Sequence, residues 1–129
     1  MNSHGKKLSV IITGATGMVG EGVLFECLTN PAVDRVLLVS RKPYGIGHPK
    51  VKECIVPDFL DLDAVTDQLR GYDACFFCAG VSSVGMSEAD YTRITYDTTV
   101  YLAKKLESVI KISYIFHYLV IYYYMYTYK

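Results

Sequence analysis

Gly14-Ala15-Thr16-Gly17-Met18-Val19-Gly20 is the stretch whose reading decides the fold. It follows Leu8-Ser9-Val10-Ile11-Ile12-Thr13, a short β-branched run that reads as a buried parallel strand. It opens a segment in which Val19, Val23, Leu24, Cys27 and Leu28 recur at helical spacing, so that one helix face is apolar. Asn30-Pro31 stops that helix. A strand, a loop with glycines at positions 14, 17 and 20, and a helix make the context in which a glycine loop cradles a pyrophosphate. Gly14 permits the tight turn, Gly17 lets backbone amides reach the phosphates, and Gly20 lets the helix pack closely. The helix N-terminus at Met18 and Val19 presents free N–H groups and the positive end of the dipole, and Thr16 adds a hydroxyl. No Gly-Lys-Ser/Thr follows, which excludes a phosphate-binding loop of the NTPase kind.

The alternation continues outward from the loop. Arg35 to Ser40 contains Val36-Leu37-Leu38-Val39, a second buried strand, and Lys42 to Pro49, with two prolines and two glycines, is a loop. Val51 to Val56 is a third strand, ended by Pro57 and Asp58. Asp61 is the expected N-cap of a short helix whose inner face is Leu62, Val65 and Leu69 and which Gly71 closes. Ala74 to Ala79 is a fourth strand ending at Gly80, followed by a polar loop. Ser87 with Asp90 resembles a capping box, and a long helix runs from Glu88 to about Glu107. This order predicts an α/β, Rossmann-type parallel sheet with flanking helices and right-handed crossovers, carried as far as its fourth or fifth strand.

Strand ends then supply the remaining candidate positions. The second strand ends at Ser40-Arg41-Lys42, where an NAD site usually places a carboxylate for the ribose 2′-hydroxyl. Arg41 and Lys42 suit a 2′-phosphate instead, so NADP is expected ahead of NAD. Asp58-Phe59 ends the third strand at the corner beside an adenine, where Asp58 either accepts from the exocyclic amine or merely starts the next turn. Ala79-Gly80-Val81 ends the fourth with small residues that leave room for the adenosine ribose and pyrophosphate.

These residues resemble the extended or atypical short-chain dehydrogenase/reductase superfamily, in its NAD-dependent epimerase/dehydratase-like branch. The likeness rests on residues 12–20, on Val39-Ser40-Arg41-Lys42-Pro43, on Pro57-Asp58-Phe59, on Phe77-Cys78-Ala79-Gly80 and on the helix from Tyr91 to Leu106. It implies an NAD(P)-binding oxidoreductase or epimerase. It also implies a fifth strand ending in Ser or Thr and a Tyr-x-x-x-Lys pair on the next helix. The chain departs from that pattern late. Val109 to His117 is a candidate fifth strand with no terminal serine, and Met125 stands four residues before Lys129. The expectation is a partial NAD(P)-binding domain over residues 1–108, without the catalytic pair, and a tail over 109–129 that holds seven of the twelve tyrosines.

Composition narrows the alternatives. A formal net charge of +0 gives no basic footprint for nucleic acid. Cys27, Cys54, Cys75 and Cys78 lack zinc spacing, and Cys75-Phe76-Phe77-Cys78 sits in an apolar run, so buried thiols in a reducing compartment are expected. The apolar run after Lys6-Lys7 is too short for a secretion signal, and the cytoplasm is the expected compartment. His4, His48 and His117 are isolated, and Ser82 and Ser83 have no evident histidine partner. The residues as read hold no metal site and no catalytic constellation. A non-catalytic dinucleotide-sensing module is the alternative, with the helix 88–107 as the face for a partner or a second copy. Val109 to Tyr128 has the length of a spanning helix, but its tyrosines and β-branched residues argue against the membrane.

Overall fold

Val10, Ile11 and Ile12 are consecutive, and each is fully buried. A strand covered on one face cannot achieve this, because successive side chains point to opposite sides. The computed structural model, which describes residues 5–78, 85 and 87–109, supplies both covers. Four strands, β1 (Leu8–Thr13), β2 (Val33–Ser40), β3 (Val51–Ile55) and β4 (Ala74–Phe77), form a sheet in the order β3-β2-β1-β4. All three pairings are parallel. The fold is the Rossmann-like one expected from the sequence.

The apolar runs divide between two cores by parity. Val10, Ile12, Val36, Leu38 and Ala74 face helix α1 (Met18–Thr29) and pack with Leu24 and Cys27. Ile11, Leu37, Val39, Cys75 and Phe77 face the other way, toward Leu62 and Leu69 of a short helical segment and Leu102 and Leu106 of helix α2 (Glu88–Glu107). Ser87 caps α2 as expected, its hydroxyl accepting from Asp90 N–H at 3.1 Å.

Several boundaries differ from expectation. β2 begins at Val33 rather than Arg35, because Val33 pairs with Leu8 across a register irregularity. Arg35 is held there by its neighbours: Nε donates to Ser9 Oγ at 3.1 Å and Nη2 to the Gly71 carbonyl at 2.9 Å, and the guanidinium lies 4.9 Å over the Tyr72 ring. Beside it, Asp73 accepts from Ser9 N–H and Lys6 Nζ, and these bonds hold its carboxyl below the usual range. β3 ends at Ile55, although Val56 N–H still donates to the Ser40 carbonyl. β4 ends at Phe77, short of the expected Ala79. In α1 the buried residues are Gly20, Leu24 and Cys27, whereas Val19 is exposed; the inner stripe starts one position later because Gly20 makes the closest approach.

The expected helix after Asp61 is a 3-10 helix, Asp63–Leu69, and Asp61 does not cap it. The Leu62 carbonyl accepts from Val65 N–H at 3.1 Å and from the Thr66 hydroxyl at 3.0 Å, competing with the N–H of residue 66 that an α-helix would bring there. Leu62 N–H donates to Tyr101 Oη at 3.0 Å, which ties this segment to α2. Lys105, one turn further along α2, pairs with Asp63. The tail from residue 110, with the candidate fifth strand and His117, lies outside the described residues. Among the described residues no helix is long and apolar enough to cross a membrane.

Tyr101→Phe leaves a part-buried Leu62 N–H without its acceptor. The expected cost is about 1–3 kcal/mol in urea denaturation; a variant as stable as the parent chain would show that this hydrogen bond does not hold the segment.

Candidate functional site

Parallel sheets of this order have their crevice at the carboxyl ends of the strands, where the chain winds in opposite directions from two neighbours. Here that point lies between β1 and β4, since β1 pairs with β2 on one side and β4 on the other. The glycine loop leaves β1 at this point. Gly14 adopts φ +73°, a conformation that L side chains rarely take. Gly17 N–H donates back to the Gly14 carbonyl at 3.1 Å, closing the turn, and Gly17 is the N-cap of α1 without any side-chain cap. The first intrahelical bond is Glu21 N–H to the Gly17 carbonyl at 2.8 Å, so the amides of Met18, Val19 and Gly20 start the helix with no acceptor one turn back.

The three glycines are not equivalent. A Cβ on Gly20 would stand 1.9 Å from the Gly14 carbonyl oxygen and 2.6 Å from its carbon. Its close contact is therefore with the loop itself. A Cβ on Gly17 would meet only the Gly14 oxygen, at 3.5 Å, so the space before this residue is open. Thr16, Gly17 and Met18 are exposed, Met18 by 90%. An exposed helix start whose first amides lack acceptors one turn back fits a phosphate group.

At the end of β2, Ser40 Oγ donates to the Lys42 carbonyl at 2.8 Å. The hydroxyl is thus engaged in a turn. The side chains of Arg41 and Lys42 are exposed, and no ion pair or side-chain hydrogen bond engages them among the described residues. Thr13 pairs with Val39, so Ser40 and Gly14 leave neighbouring strands at the same level. Asp58 Oδ1 accepts from Leu60 N–H at 2.8 Å and so starts the turn after β3; its second oxygen keeps acceptor capacity. Phe59 packs partly on the core that contains Leu62. Cys78 N–H donates to the Thr13 carbonyl at 3.0 Å, which leads the chain from β4 toward the glycine loop. Ala79, Gly80 and Val81, like Ser82 and Ser83, lie outside the described residues.

The cysteines are thiols without partners in a disulfide. Burial, with Cys27 nearby, pushes Cys78 up to about 11, and burial pushes Cys75 higher still, so neither is a thiolate nucleophile at neutral pH. Among the described residues no group of His, Cys, Asp and Glu can hold a metal ion.

One match escaped the sequence reading. Tyr101 and Lys105 stand at Tyr-x-x-x-Lys spacing within α2. Their contacts are with Leu62 and Asp63, and with this packing they hold α2 to the 3-10 helix. Spacing alone would have found the pair; only the fold shows what it touches.

The sequence profile of the NAD dependent epimerase/dehydratase family matches residues 10–121. The chain belongs to this family. It is 30% identical over 100 residues to leucinostatins biosynthesis cluster protein T of Purpureocillium lilacinum, covering 75% of this chain and 37% of that one. Uronate dehydrogenase from Agrobacterium tumefaciens superposes with a TM-score of 0.62 at 20% identity, over 84% of this chain and 41% of that one. A variant of the same enzyme in complex with NAD gives 0.61 at 21% identity, over 83% and 40%. The carbonyl reductase Sniffer of Drosophila melanogaster gives 0.63 at 16% identity, over 80% and 52%. The chain spans about two fifths of the curated relative and of the uronate dehydrogenase, and these solved structures bear on fold alone.

Gly20→Ala drives a Cβ into backbone that no rotamer change can relieve, at an expected cost of about 3 kcal/mol or more. Gly22, on the same helix with nothing within 4 Å of a built Cβ, is the control; Gly22→Ala is expected to stabilise by about 0.5–1 kcal/mol. Urea denaturation of both variants checks this, and equal stabilities would refute the close approach.

Proposed function

We propose that this chain binds the adenosine-diphosphate half of a nicotinamide dinucleotide. The observation that carries the reading is the open glycine turn, with Gly17 exposed at the start of α1 and Gly14 in the left-handed region, at the carboxyl edge of a parallel sheet. Family membership and the NAD bound to a structural neighbour support the same ligand class. The turn residues Gly14, Thr16 and Gly17 and the first amides of α1, from Met18 to Gly20, meet the pyrophosphate. The second oxygen of Asp58 and the edge of Phe59 border the adenine, and Ala79, Gly80 and Val81 leave room for the ribose and pyrophosphate.

The ligand preferred in this proposal is NADP. Its support is the pair of exposed side chains Arg41 and Lys42, without a side-chain partner among the described residues, at the end of β2, the strand end where such folds usually meet the ribose 2′ position. Ser40 turns the chain there. Calorimetric titration with NADP and NAD tests both steps. NADP is expected to bind at least about tenfold tighter, and Arg41→Ala to remove most of that difference, since bonds to charged groups contribute about 1.5–3 kcal/mol. Tighter binding of NAD overturns the preference; heat with neither overturns the reading.

We propose further that residues 1–129 bind this cofactor without turning over a carbonyl substrate. The support is that the one Tyr-x-x-x-Lys spacing in the sequence, Tyr101 to Lys105, has its hydroxyl and ammonium engaged by the 3-10 segment. In the curated relative and in the uronate dehydrogenase, the larger part of the protein lies outside the matched region. NADPH oxidation with carbonyl substrates is expected to stay at the uncatalysed rate, and sustained turnover would show that the chain carries chemistry of its own.

A further inference from the structure

Glu53 is a charged side chain in the middle of β3, half-buried, on the face that α1 covers; Val51, two residues earlier, packs into that core. Its two carboxylate oxygens are spent on two consecutive backbone amides of the β2–β3 crossover. Oε1 accepts from Tyr44 N–H, and Oε2 accepts from Gly45 N–H at 3.2 Å. Gly45 has φ +82°, the left-handed conformation that turns successive N–H groups toward one point and makes an anion-binding nest. The chain thus satisfies this nest with its own carboxylate.

The crossover it anchors has no helix. Residues 41–50 join two parallel strands as an irregular segment, a connection usually made by an α-helix. Tyr44 and Ile46 pack partly on the α1-side core in place of one. A crossover of this kind has no internal ladder to fix its backbone, so its order depends on tethers. At its far end Val36 N–H donates to the Lys50 carbonyl and Val51 N–H to the His48 carbonyl; at its near end, beside Arg41 and Lys42, Ser40 Oγ holds the Lys42 carbonyl and the Glu53 carboxylate holds Tyr44 and Gly45. Arg41 and Lys42 lie between the residues that these tethers hold.

We propose that Glu53 is the positioning residue that sets the preference for a 2′-phosphorylated dinucleotide, by fixing the backbone from which Arg41 and Lys42 project. The inference rests on the dinucleotide reading above and adds to it the residue that orders the cationic corner without touching the ligand. The two backbone N–H groups hold its carboxylate through charge-assisted hydrogen bonds, which are stronger than neutral ones. Two long cations on a fixed backbone lose less freedom on binding a phosphate than the same pair on a loose loop.

The experiment is calorimetric titration of NADP and NAD into the full chain and into Glu53→Ala, Glu53→Gln and Gly45→Ala. Glu53→Ala is expected to lower the NADP-to-NAD affinity ratio about tenfold by weakening NADP alone, with NAD affinity held within about twofold. Glu53→Gln keeps one acceptor and sets an amide NH2 against the second N–H, so its ratio should fall between the two. Gly45→Ala strains the nest from the other side, with open space around the new Cβ, and should shift the ratio in the same direction. Amide hydrogen exchange at Tyr44 and Gly45 reads the clamp itself: slow in the parent chain, fast in Glu53→Ala. A wild-type preference for NADP that survives Glu53→Ala and Gly45→Ala overturns this inference alone. Parallel weakening of both ligands assigns Glu53 a merely structural role and overturns it too. A parent chain that binds neither ligand overturns the dinucleotide reading, and this inference with it.

Discussion

The contact between Gly20 and the Gly14 carbonyl sets the position of everything around it. A helix carrying a Cβ there would have to stand off by more than an ångström, since the built atom falls 1.9 Å from the oxygen. With glycine, the first turn of α1 sits on the loop that leaves β1, and the inner stripe Gly20, Leu24, Cys27 comes down on Val10, Ile12, Val36 and Leu38. The same approach aims the unpaired amides at the start of α1 into the crevice at the carboxyl end of the sheet. One missing methyl group therefore serves both the core and the site, and the two cannot be varied separately.

A second constraint is that parallel strands return through long connections whose backbone groups need partners. The three described connections meet it differently. Beyond its first turn α1 satisfies its own amides, and carbonyls at its end are met by Lys50, whose ammonium donates to the carbonyls of Cys27 at 3.3 Å and Asn30 at 3.0 Å. The β2–β3 crossover has no helix; Ser40 and Glu53 bond its first half, and Val36, His48 and Val51 bond its end at His48 and Lys50. The β3–β4 crossover is a 3-10 turn pinned by Tyr101 and Lys105 of α2. Where local structure is weakest, charged or hydroxyl side chains from distant positions complete it.

This division explains what could be read in the sequence. The glycine loop, the end of α1 at Asn30, the Ser87 cap and the extent of α2 all depend on residues within a few positions of one another, and all were legible. The start of β2 was not, because polar Asp34 and Arg35 hide a strand that its pairing with Leu8 creates. The 3-10 helix was read as an ordinary helix, since Leu62, Val65 and Leu69 give the same apolar spacing in either form and the deciding Tyr101 lies 39 residues away. Glu53 is one of two charged residues in the Val51–Val56 strand segment. Nothing near it in sequence shows that its partners are the amides of Tyr44 and Gly45. The Tyr101 to Lys105 spacing shows the converse: a pattern can be present in sequence while its contacts belong to packing.

Net charge is a total and hides where the charges go. Many of the described cations have partners within the chain, most of them at its surface: Lys6 with Asp73, Arg70 with Asp67, Arg93 with Asp90, Lys105 with Asp63, Arg35 over Tyr72 and Lys50 on the end of α1. Among the described residues Lys7, Lys52 and Lys104 have no such partner; Lys7 and Lys52 stand just before β1 and near the start of β3, toward the amino-terminal edge of the sheet, and Lys104 is in the last turn of α2. Arg41 and Lys42 follow β2 at the opposite edge, beside the glycine turn. A neutral chain can thus present a local cationic corner at the one edge where the backbone already offers amides. The attraction of such a corner for an anion falls off within a Debye length of about 8–10 Å, so its placement matters more than the sum over the molecule.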